Sequence, residues 1–219
     1  MLLYDVEIER PVPDDRHRDR EPGIEYCNGW KDYTGMGVAV ACAWDGHENA
    51  YRVFLKDNLY ELQNLIDRHS RVVGFNNHRF DDPLMRAHGV MIPDEKSYDL
   101  LTEILRANGN GRFSPNACAG YGLDAVARAN LERGKGKSGS GDLAPVLWQR
   151  GCRGAVIDYC MRDVYLLKSL MDCVIGDGGL ICPRSGQFIR VRGPYEDEAT
   201  QIESAALPRD HQHGADGQG

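Results

Sequence analysis

Leu2-Leu3-Tyr4-Asp5-Val6-Glu7-Ile8 opens the chain with the alternating pattern of a β-strand. Side chains two residues apart in a strand lie on the same face, so Asp5 and Glu7 point the same way, beside Leu3. Such an acidic pair can simply face solvent. In a strand that opens an α/β core, however, two carboxylates on one face repel each other unless a cation lies between them. Asp5 and Glu7 are therefore candidate metal ligands.

The hydrophobic pattern of the remaining chain predicts an α/β order of elements. A long polar loop is expected at 9–33, and further strands at 37–44, 51–55 and 71–75. Helices are predicted after Asp57 and Asn58, from Asp82-Pro83, and at 99–106, 122–131, 143–149 and 154–174, with Asp99 as an N-cap. A small hairpin is expected at 179–191. The order β-β-β-α-β-α, followed by helices, indicates a mixed central sheet flanked by helices.

The 219 residues are expected to form one domain at 1–194, followed by a disordered polar tail at 195–219. The sequence predicts neither a signal peptide nor a membrane span. Seven cysteines without a repeated Cys-x-x-Cys spacing argue against a disulfide framework and a structural zinc site, and favour a cytoplasmic protein. The histidines show no metal-ligand spacing and are expected to be surface or core residues; they include His47, His69, His78 and His88.

A second acidic motif follows the strand predicted at 71–75. Asn76 comes directly after it, and Phe80-Asp81-Asp82-Pro83 opens a helix, with the proline suited to its first turn. An aspartate at this corner can cap the helix, or it can be delivered to a site at the end of the sheet. Because two aspartates are adjacent, the capping role and the metal role can belong to different residues.

The third motif lies on the helix predicted at 154–174. Tyr159 and Asp163 are four residues apart, which places the phenol and the carboxylate on one face with Cβ atoms about 5 to 6 Å apart. An exposed helical pair would have the same spacing. A tyrosine so placed can also orient a water molecule through its hydroxyl, while the aspartate holds an ion that lowers the pKa of that water.

The balance of charge restricts how a polynucleotide could bind. The net charge is −7, whereas phosphate contacts normally come from lysine and arginine. Basic residues, among them Lys135 and Lys137, cluster around a loop rich in glycine and serine at 134–141. This loop is either a phosphate-binding element or a solvated linker. Its glycines lack the Walker spacing, so a nucleoside-triphosphate site is not supported.

Taken together, the three motifs resemble those of the DEDD superfamily of 3′-5′ exonucleases, in the branch whose third motif is Tyr-x-x-x-Asp. Asp5-Val6-Glu7 matches the first motif and Tyr159-x-x-x-Asp163 the third. Asn76-x-x-x-Phe80-Asp81 matches the second motif as it occurs in the proofreading domains of family-B DNA polymerases. The stretch from Gly122 to Tyr159 is also similar to stand-alone bacterial and phage exonuclease-like proteins. The resemblance covers residues 1–192, and the charged insertion at 10–25 departs from many relatives.

The resemblance implies a ribonuclease H-like fold and a two-metal 3′-5′ exonuclease that uses Mg²⁺ or Mn²⁺. Asp5, Glu7, Asp81 and Asp163 would be the metal ligands, and Tyr159 would position the attacking water. Asn76 and Phe80 would contact the substrate, a single-stranded DNA or RNA 3′ end, with DNA favoured. The resemblance leaves replication or repair proteins as candidate partners, and it does not predict the oligomeric state. Two alternatives remain: a structure-specific endonuclease on the same fold, and a nuclease-derived binding module that has lost turnover.

Overall fold

The computed structural model describes residues 1–13, 20–110, 114–131 and 141–196. Lys135, Lys137 and residues 197–219 lie outside these ranges, so the predicted basic loop and most of the predicted tail stay predictions.

Five strands form the main sheet, in the order β3-β2-β1-β4-β5. Their bounds are Leu2–Ile8 (β1), Val38–Asp45 (β2), Ala50–Phe54 (β3), Val72–Gly74 (β4) and Ser97–Asp99 (β5). β2 pairs antiparallel with β1 and with β3, whereas β4 pairs parallel with β1 and with β5. The sheet is therefore mixed, and the carboxyl ends of β1, β4 and β5 lie at the same edge.

Helices connect the strands of the main sheet and follow its last strand. Their bounds are Tyr33–Met36 (α1), Leu59–Arg68 (α2), Asp81–Ala87 (α3), Leu100–Ala107 (α4), Pro115–Cys118 (α5), Leu123–Asn130 (α6), Ala144–Gln149 (α7) and Arg153–Asp177 (α8). A 3-10 turn at Gly141–Leu143 leads into α7. After α8, Gly179–Ile181 (β6) and Phe188–Arg190 (β7) form an antiparallel hairpin. No helix in the described ranges is long and apolar enough to cross a membrane.

The two faces of the sheet support separate apolar cores. On one face, Leu2, Tyr4 and Val6 of β1 pack with apolar side chains of α2 and α3. On the other, Leu3 belongs to a core that includes Val164 and other apolar side chains of α8. Because successive side chains of a strand alternate between faces, Asp5 and Glu7 share the face of Leu3. The acidic pair is thereby directed to the α8 side.

The α/β fold expected from the sequence is confirmed, with its mixed sheet, flanking helices and C-terminal hairpin, and it is consistent with a ribonuclease H-like fold. Asp99 caps α4 as predicted, since its carboxylate accepts from the backbone N–H groups of Leu101 and Thr102. The sequence did not predict β5, α1 or α5. The strand β5 is three residues long and runs directly into α4, α1 is a single turn between the expected loop and the strand expected at 37–44, and α5 is also a single turn. None of the three is long enough to show a hydrophobic period.

Candidate metal centre

Three carboxylates from two distant segments meet at the carboxyl end of β1. Asp5, Glu7 and Asp163 each offer an oxygen atom, and these atoms lie within 4.8 Å of one another. Asp163 is buried, Glu7 is nearly so, and Asp5 is partly buried. These groups could hold a metal ion, because hard carboxylate oxygens at this spacing are the usual ligands of small divalent cations.

The packing of α8 against β1 sets this geometry. Cys160 is buried in the core under the sheet, and its Sγ lies 3.4 Å from the backbone carbonyl oxygen of Asp5, to which it donates. Asp163 follows three residues later and so lies on the same side of the helix, one turn further along. At the end of β1 the pairing with β2 is irregular between Glu7 and Ile8. The strand thus ends just beyond the second carboxylate.

Asp81 approaches the cluster from the first turn of α3. It is 7% exposed and lines the same cavity as Asp5 and Glu7, but it does not belong to the tight group of three oxygens. Burial and the charges of Asp5, Asp82 and Asp99 raise the pKa of Asp81 well above its ordinary value. Asp81 therefore lies close enough to Asp5 for strong repulsion when both are ionised and no cation is present.

The neighbouring Asp82 points away from the cavity and has a structural role. Its Oδ1 accepts from the Tyr4 hydroxyl, and its Oδ2 accepts from the Ser97 hydroxyl at 2.7 Å. The Asn77 amide donates to both oxygens, at 3.1 and 3.2 Å. This network joins β1, β5 and the start of α3 beneath the site. Asp81 thus faces the cavity, whereas Asp82 is bonded within the interior of the fold.

The turn before α3 is held in an unusual backbone conformation. Asn76 has a φ of 66°, in the left-handed region that few residues other than glycine adopt. Its backbone N–H donates to Asp99 Oδ1 at 2.8 Å, so the cap of α4 also fixes this turn. Asn76 and Phe80 both line the cavity, and their expected contact with a substrate stays a prediction.

Tyr159 lies among the carboxylates, as the third motif predicted. Burial and the charges of Asp163, Glu7 and Asp5 raise the pKa of its phenol far above the ordinary value. The hydroxyl therefore keeps its proton at physiological pH and can donate a hydrogen bond. Gly141, at the start of the 3-10 turn, borders this hydroxyl: a Cβ atom placed on it would lie 3.4 Å from the tyrosine oxygen.

The carboxylates open into a cavity of about 1210 Å³. Its lining combines Asp5, Glu7 and Asp81 with apolar side chains, among them Trp30, Phe75, Phe80, Val12 and Pro145. No lysine or arginine occurs among the described residues that line it. An anionic ligand would therefore meet carboxylates without compensating cationic side chains from this wall. A bound cation would reverse that electrostatic balance.

The sequence left open whether the insertion at 10–25 covers the site, and the first described residues of the insertion form part of the cavity wall. Pro11, Val12 and Pro13 line the cavity. Further along, the Gln149 amide at the end of α7 donates to the backbone oxygens of Glu9 and Glu25, at 2.9 Å each, and so ties both ends of the segment to the helical layer.

Trp30 is a cavity residue that the sequence did not single out. It is 69% exposed, and its ring makes an edge contact with Phe80 at 6.4 Å between ring centroids. Two neighbours hold its loop: Asp32 accepts from the backbone N–H of Asn28 at 2.8 Å, and the Tyr33 hydroxyl donates to the Arg79 carbonyl oxygen at 3.2 Å. A single aromatic residue in a polar segment carries no periodic signal, which explains why it was missed.

Comparison with known proteins gives a likeness in fold. No protein-family model and no curated protein matches the sequence. Among solved structures, the chain is similar to the family B DNA polymerase from the hyperthermophilic archaeon Pyrobaculum calidifontis, with a TM-score of 0.52 and 15% sequence identity. The alignment covers 80% of this chain and 24% of the polymerase chain. At this identity the likeness establishes the class of fold, and the chain spans only a minor part of the polymerase.

The separate roles of the two aspartates predict opposite effects on stability. In metal-free protein, Asp81→Asn is expected to raise the free energy of unfolding at neutral pH, because it removes the cost of burying an ionised carboxylate and its repulsion from Asp5. Asp82→Asn is expected to lower it by about 1–3 kcal/mol, because both oxygens of Asp82 accept hydrogen bonds and an amide NH₂ would face a donor. Urea unfolding in EDTA measures both. A stability loss for Asp81→Asn would contradict this assignment.

The gain from Asp81→Asn is expected to depend on pH. Because the pKa of Asp81 is raised above 3.8 in the folded protein, its contribution to stability is fully present below that value and is lost as pH rises through the folded pKa. The asparagine of the variant does not titrate and avoids this loss. The advantage of the variant over the wild type should therefore grow as the pH is raised above about 4. A difference in unfolding free energy that does not change between acidic and neutral pH would count against the raised pKa.

Proposed function

We propose that this protein is a metal-dependent 3′-5′ exonuclease that hydrolyses phosphodiester bonds at the 3′ end of single-stranded nucleic acid, with DNA favoured over RNA. One observation carries the proposal: carboxylate oxygens of Asp5, Glu7 and Asp163 lie within 4.8 Å of one another at the cavity that Asp81 also lines. The charges of these three carboxylates also act on the phenol of Tyr159. The likeness in fold to a family B DNA polymerase supports the choice of a polynucleotide substrate.

The donor set fits Mg²⁺ or Mn²⁺, since every candidate ligand is a carboxylate. Asp5, Glu7 and Asp163 would hold one ion, and Asp81 together with Asp5 would hold a second. Bound in this way, such ions lower the pKa of a water nucleophile and stabilise charge on the leaving oxygen. Burial, with the charges of Asp5, Asp82 and Asp99, raises the pKa of Asp81, and a neighbouring cation would lower it again.

Tyr159 would act through its hydroxyl rather than as a ligand. Its phenol stays protonated, so it can donate a hydrogen bond to a water molecule or to a phosphate oxygen at the centre. Asp163, one helical turn away, has its carboxylate in the metal cluster. Tyr159 would thus orient the water or the phosphate, and Asp163 would bind the ion.

The apolar part of the cavity favours a single strand. Trp30 and Phe80 present aromatic rings beside the carboxylates, and an unpaired base can stack on such rings while its phosphate reaches the cations. A base within a duplex is already stacked and paired, so it would have to be released first. The same cavity could also accept an internal bond of a distorted strand, which keeps an endonuclease as the second enzyme candidate.

Cleavage of end-labelled strands tests the activity directly. Wild-type protein with Mg²⁺ or Mn²⁺ is expected to give a ladder shortened from the 3′ end, whereas an endonuclease would give discrete internal products. Asp5→Ala, Glu7→Ala, Asp81→Ala and Asp163→Ala should each lower turnover by at least about a hundredfold. Asp158→Ala is the matched control, because Asp158 lies on α8 but is exposed and paired with Arg162 at 2.8 Å. Strand binding without any metal-dependent cleavage would identify an inactive binding module.

Tyr159→Phe is expected to keep metal affinity and to lose much of the cleavage rate. The substitution removes only the hydroxyl, and the carboxylates that would hold the ions are unchanged. Calorimetric titration with Mn²⁺, together with single-turnover cleavage, separates the two effects. If affinity and rate fell by the same factor, the tyrosine would have a structural role at the centre.

Trp30→Ala should weaken the binding of a short single strand by about 1–3 kcal/mol, the usual contribution of one base stacked on an aromatic ring. Measurement with Mg²⁺ on the Asp163→Ala variant, whose turnover is expected to be at least about a hundredfold lower, isolates binding from cleavage. Trp30→Phe is the conservative variant and should restore most of the affinity. Equal affinities of Trp30→Ala and the parent protein would show that the strand does not reach this wall.

A further inference from the structure

A second group of side chains that could hold a metal ion lies at the opposite end of β1 and β2. Asp45 is the last residue of β2, His47 lies in the following turn, and His69 follows the end of α2. Their ligand atoms lie within 4.8 Å of one another. No spacing along the chain indicates this group, because His47 and His69 are separated by the whole of β3 and α2.

His69 is a buried imidazole with one unsatisfied nitrogen. It is 2% exposed, and its Nε2 lies 3.0 Å from Asp45 Oδ1. Burial, together with nearby positive charge, lowers its pKa below 6.5, which favours the neutral ring at pH 7. A carboxylate can only accept, so Nε2 carries the proton and Nδ1 keeps its lone pair. This Nδ1 is buried and has no hydrogen-bond partner.

An unsatisfied buried nitrogen costs about 1–3 kcal/mol, so its presence in a folded protein calls for an explanation. Asp45 is held firmly in place, since its Oδ1 also accepts from the backbone N–H groups of His47 at 3.0 Å and Glu48 at 3.4 Å. A carboxylate that fixes the tautomer of a histidine is also the usual support of a histidine that binds a metal.

We propose that His47 and His69, with Asp45 as the hydrogen-bonded support of His69, form a binding site for a transition-metal ion of the Zn²⁺ class, separate from the carboxylate centre. Imidazole ligands suit Zn²⁺ and its neighbours, whereas carboxylates alone suit Mg²⁺ and Mn²⁺. Asp45 pairs with Leu2, and Asp5 lies three residues further along β1. At about 3.3 Å per residue, the two sites are on the order of 10 Å apart along the strand.

The exposed member of the group is the one that must move. The rings of His47 and His69 are stacked, with centroids 3.9 Å apart and planes inclined by 22°. The lone pairs of stacked rings lie nearly parallel and do not converge on one ion. Binding therefore requires His47 to turn about its side-chain torsions, while Asp45 and His69 remain buried. Because His47 is at the surface, this turn disturbs no core packing.

The test is a Zn²⁺ titration of the full chain after removal of metal by EDTA, followed by calorimetry and by thermal unfolding. A purification tag of histidines must be absent, and the chain used must begin at Met1, because the amino group of Met1 interacts with Asp45. His211 and His213 are replaced by alanine in every sample, since their spacing can also bind Zn²⁺. A reducing agent that does not bind metal keeps the cysteines as thiols.

One equivalent of Zn²⁺ is expected to bind and to raise the melting temperature. His47→Ala should weaken this binding by at least about tenfold, and His69→Gln should do the same. His88→Ala is the matched control and should bind as the parent does, because His88 lies beyond α3 and its Nε2 contacts the Tyr33 carbonyl oxygen at 3.1 Å. Since His47 is exposed, its variant should fold even if His69→Gln does not.

Unchanged Zn²⁺ affinity in His47→Ala, or absence of binding in the parent, would overturn the proposal and leave Asp45 and His69 as a hydrogen-bonded support of the turn. The same titration on Asp163→Ala separates this site from the carboxylate centre. Zn²⁺ binding at the histidines should persist in that variant, whether or not the protein proves to be a nuclease. Loss of the Zn²⁺ signal in Asp163→Ala would place the ion at the carboxylates instead.

Discussion

The central position of β1 is the constraint on which the rest of the structure depends. It is paired on both edges, by β2 and β4, and covered on both faces, so its alternating side chains enter two different environments. Leu2, Tyr4 and Val6 enter an apolar core against α2 and α3. Leu3 starts the opposite face, and Asp5 and Glu7 continue it beneath α8. Shifting the register by one residue would exchange these faces and bury the carboxylates in an apolar core, so the position of the acidic site is set by the same register that forms the fold.

Burying several carboxylates together is unfavourable, and the surrounding structure limits the cost. Asp82 and Asp99 satisfy their oxygens through hydrogen bonds, so their charges have protein donors. Burial and the charges of its acidic neighbours raise the pKa of Asp81, so its ionised form is costly in the metal-free centre. A divalent ion would provide that compensation. The repulsion that destabilises the metal-free centre would then become affinity for the ion, which couples occupancy of the site to the stability of the fold.

The sequence predicted what depends on local pattern. The alternation of β1, the spacing of Tyr159 and Asp163 and the proline in α3 placed their elements correctly, and the expected site residues that the structure describes line one cavity or cluster. Features that arise from tertiary contact could not be predicted. The division between Asp81 and Asp82 depends on Tyr4 and Ser97, which are distant in sequence. The wall at Trp30 and the approach of His47 to His69 likewise follow from how separate segments pack, and no spacing within either segment encodes them.

The net negative charge of the chain affects how an anionic strand could bind at the site. A protein with a net charge of −7 repels a polynucleotide at long range, and the described lining of the cavity adds carboxylates without lysine or arginine. Among the described residues, attraction of the proposed substrate would therefore be local, from cations held within the cavity and from aromatic rings beside them. Both act only at short range, since salt screens charges beyond about 10 Å and stacking requires contact. These contacts would retain an anionic strand where its end enters the cavity, and the predicted basic loop at 134–141 would add any phosphate contacts further along the strand.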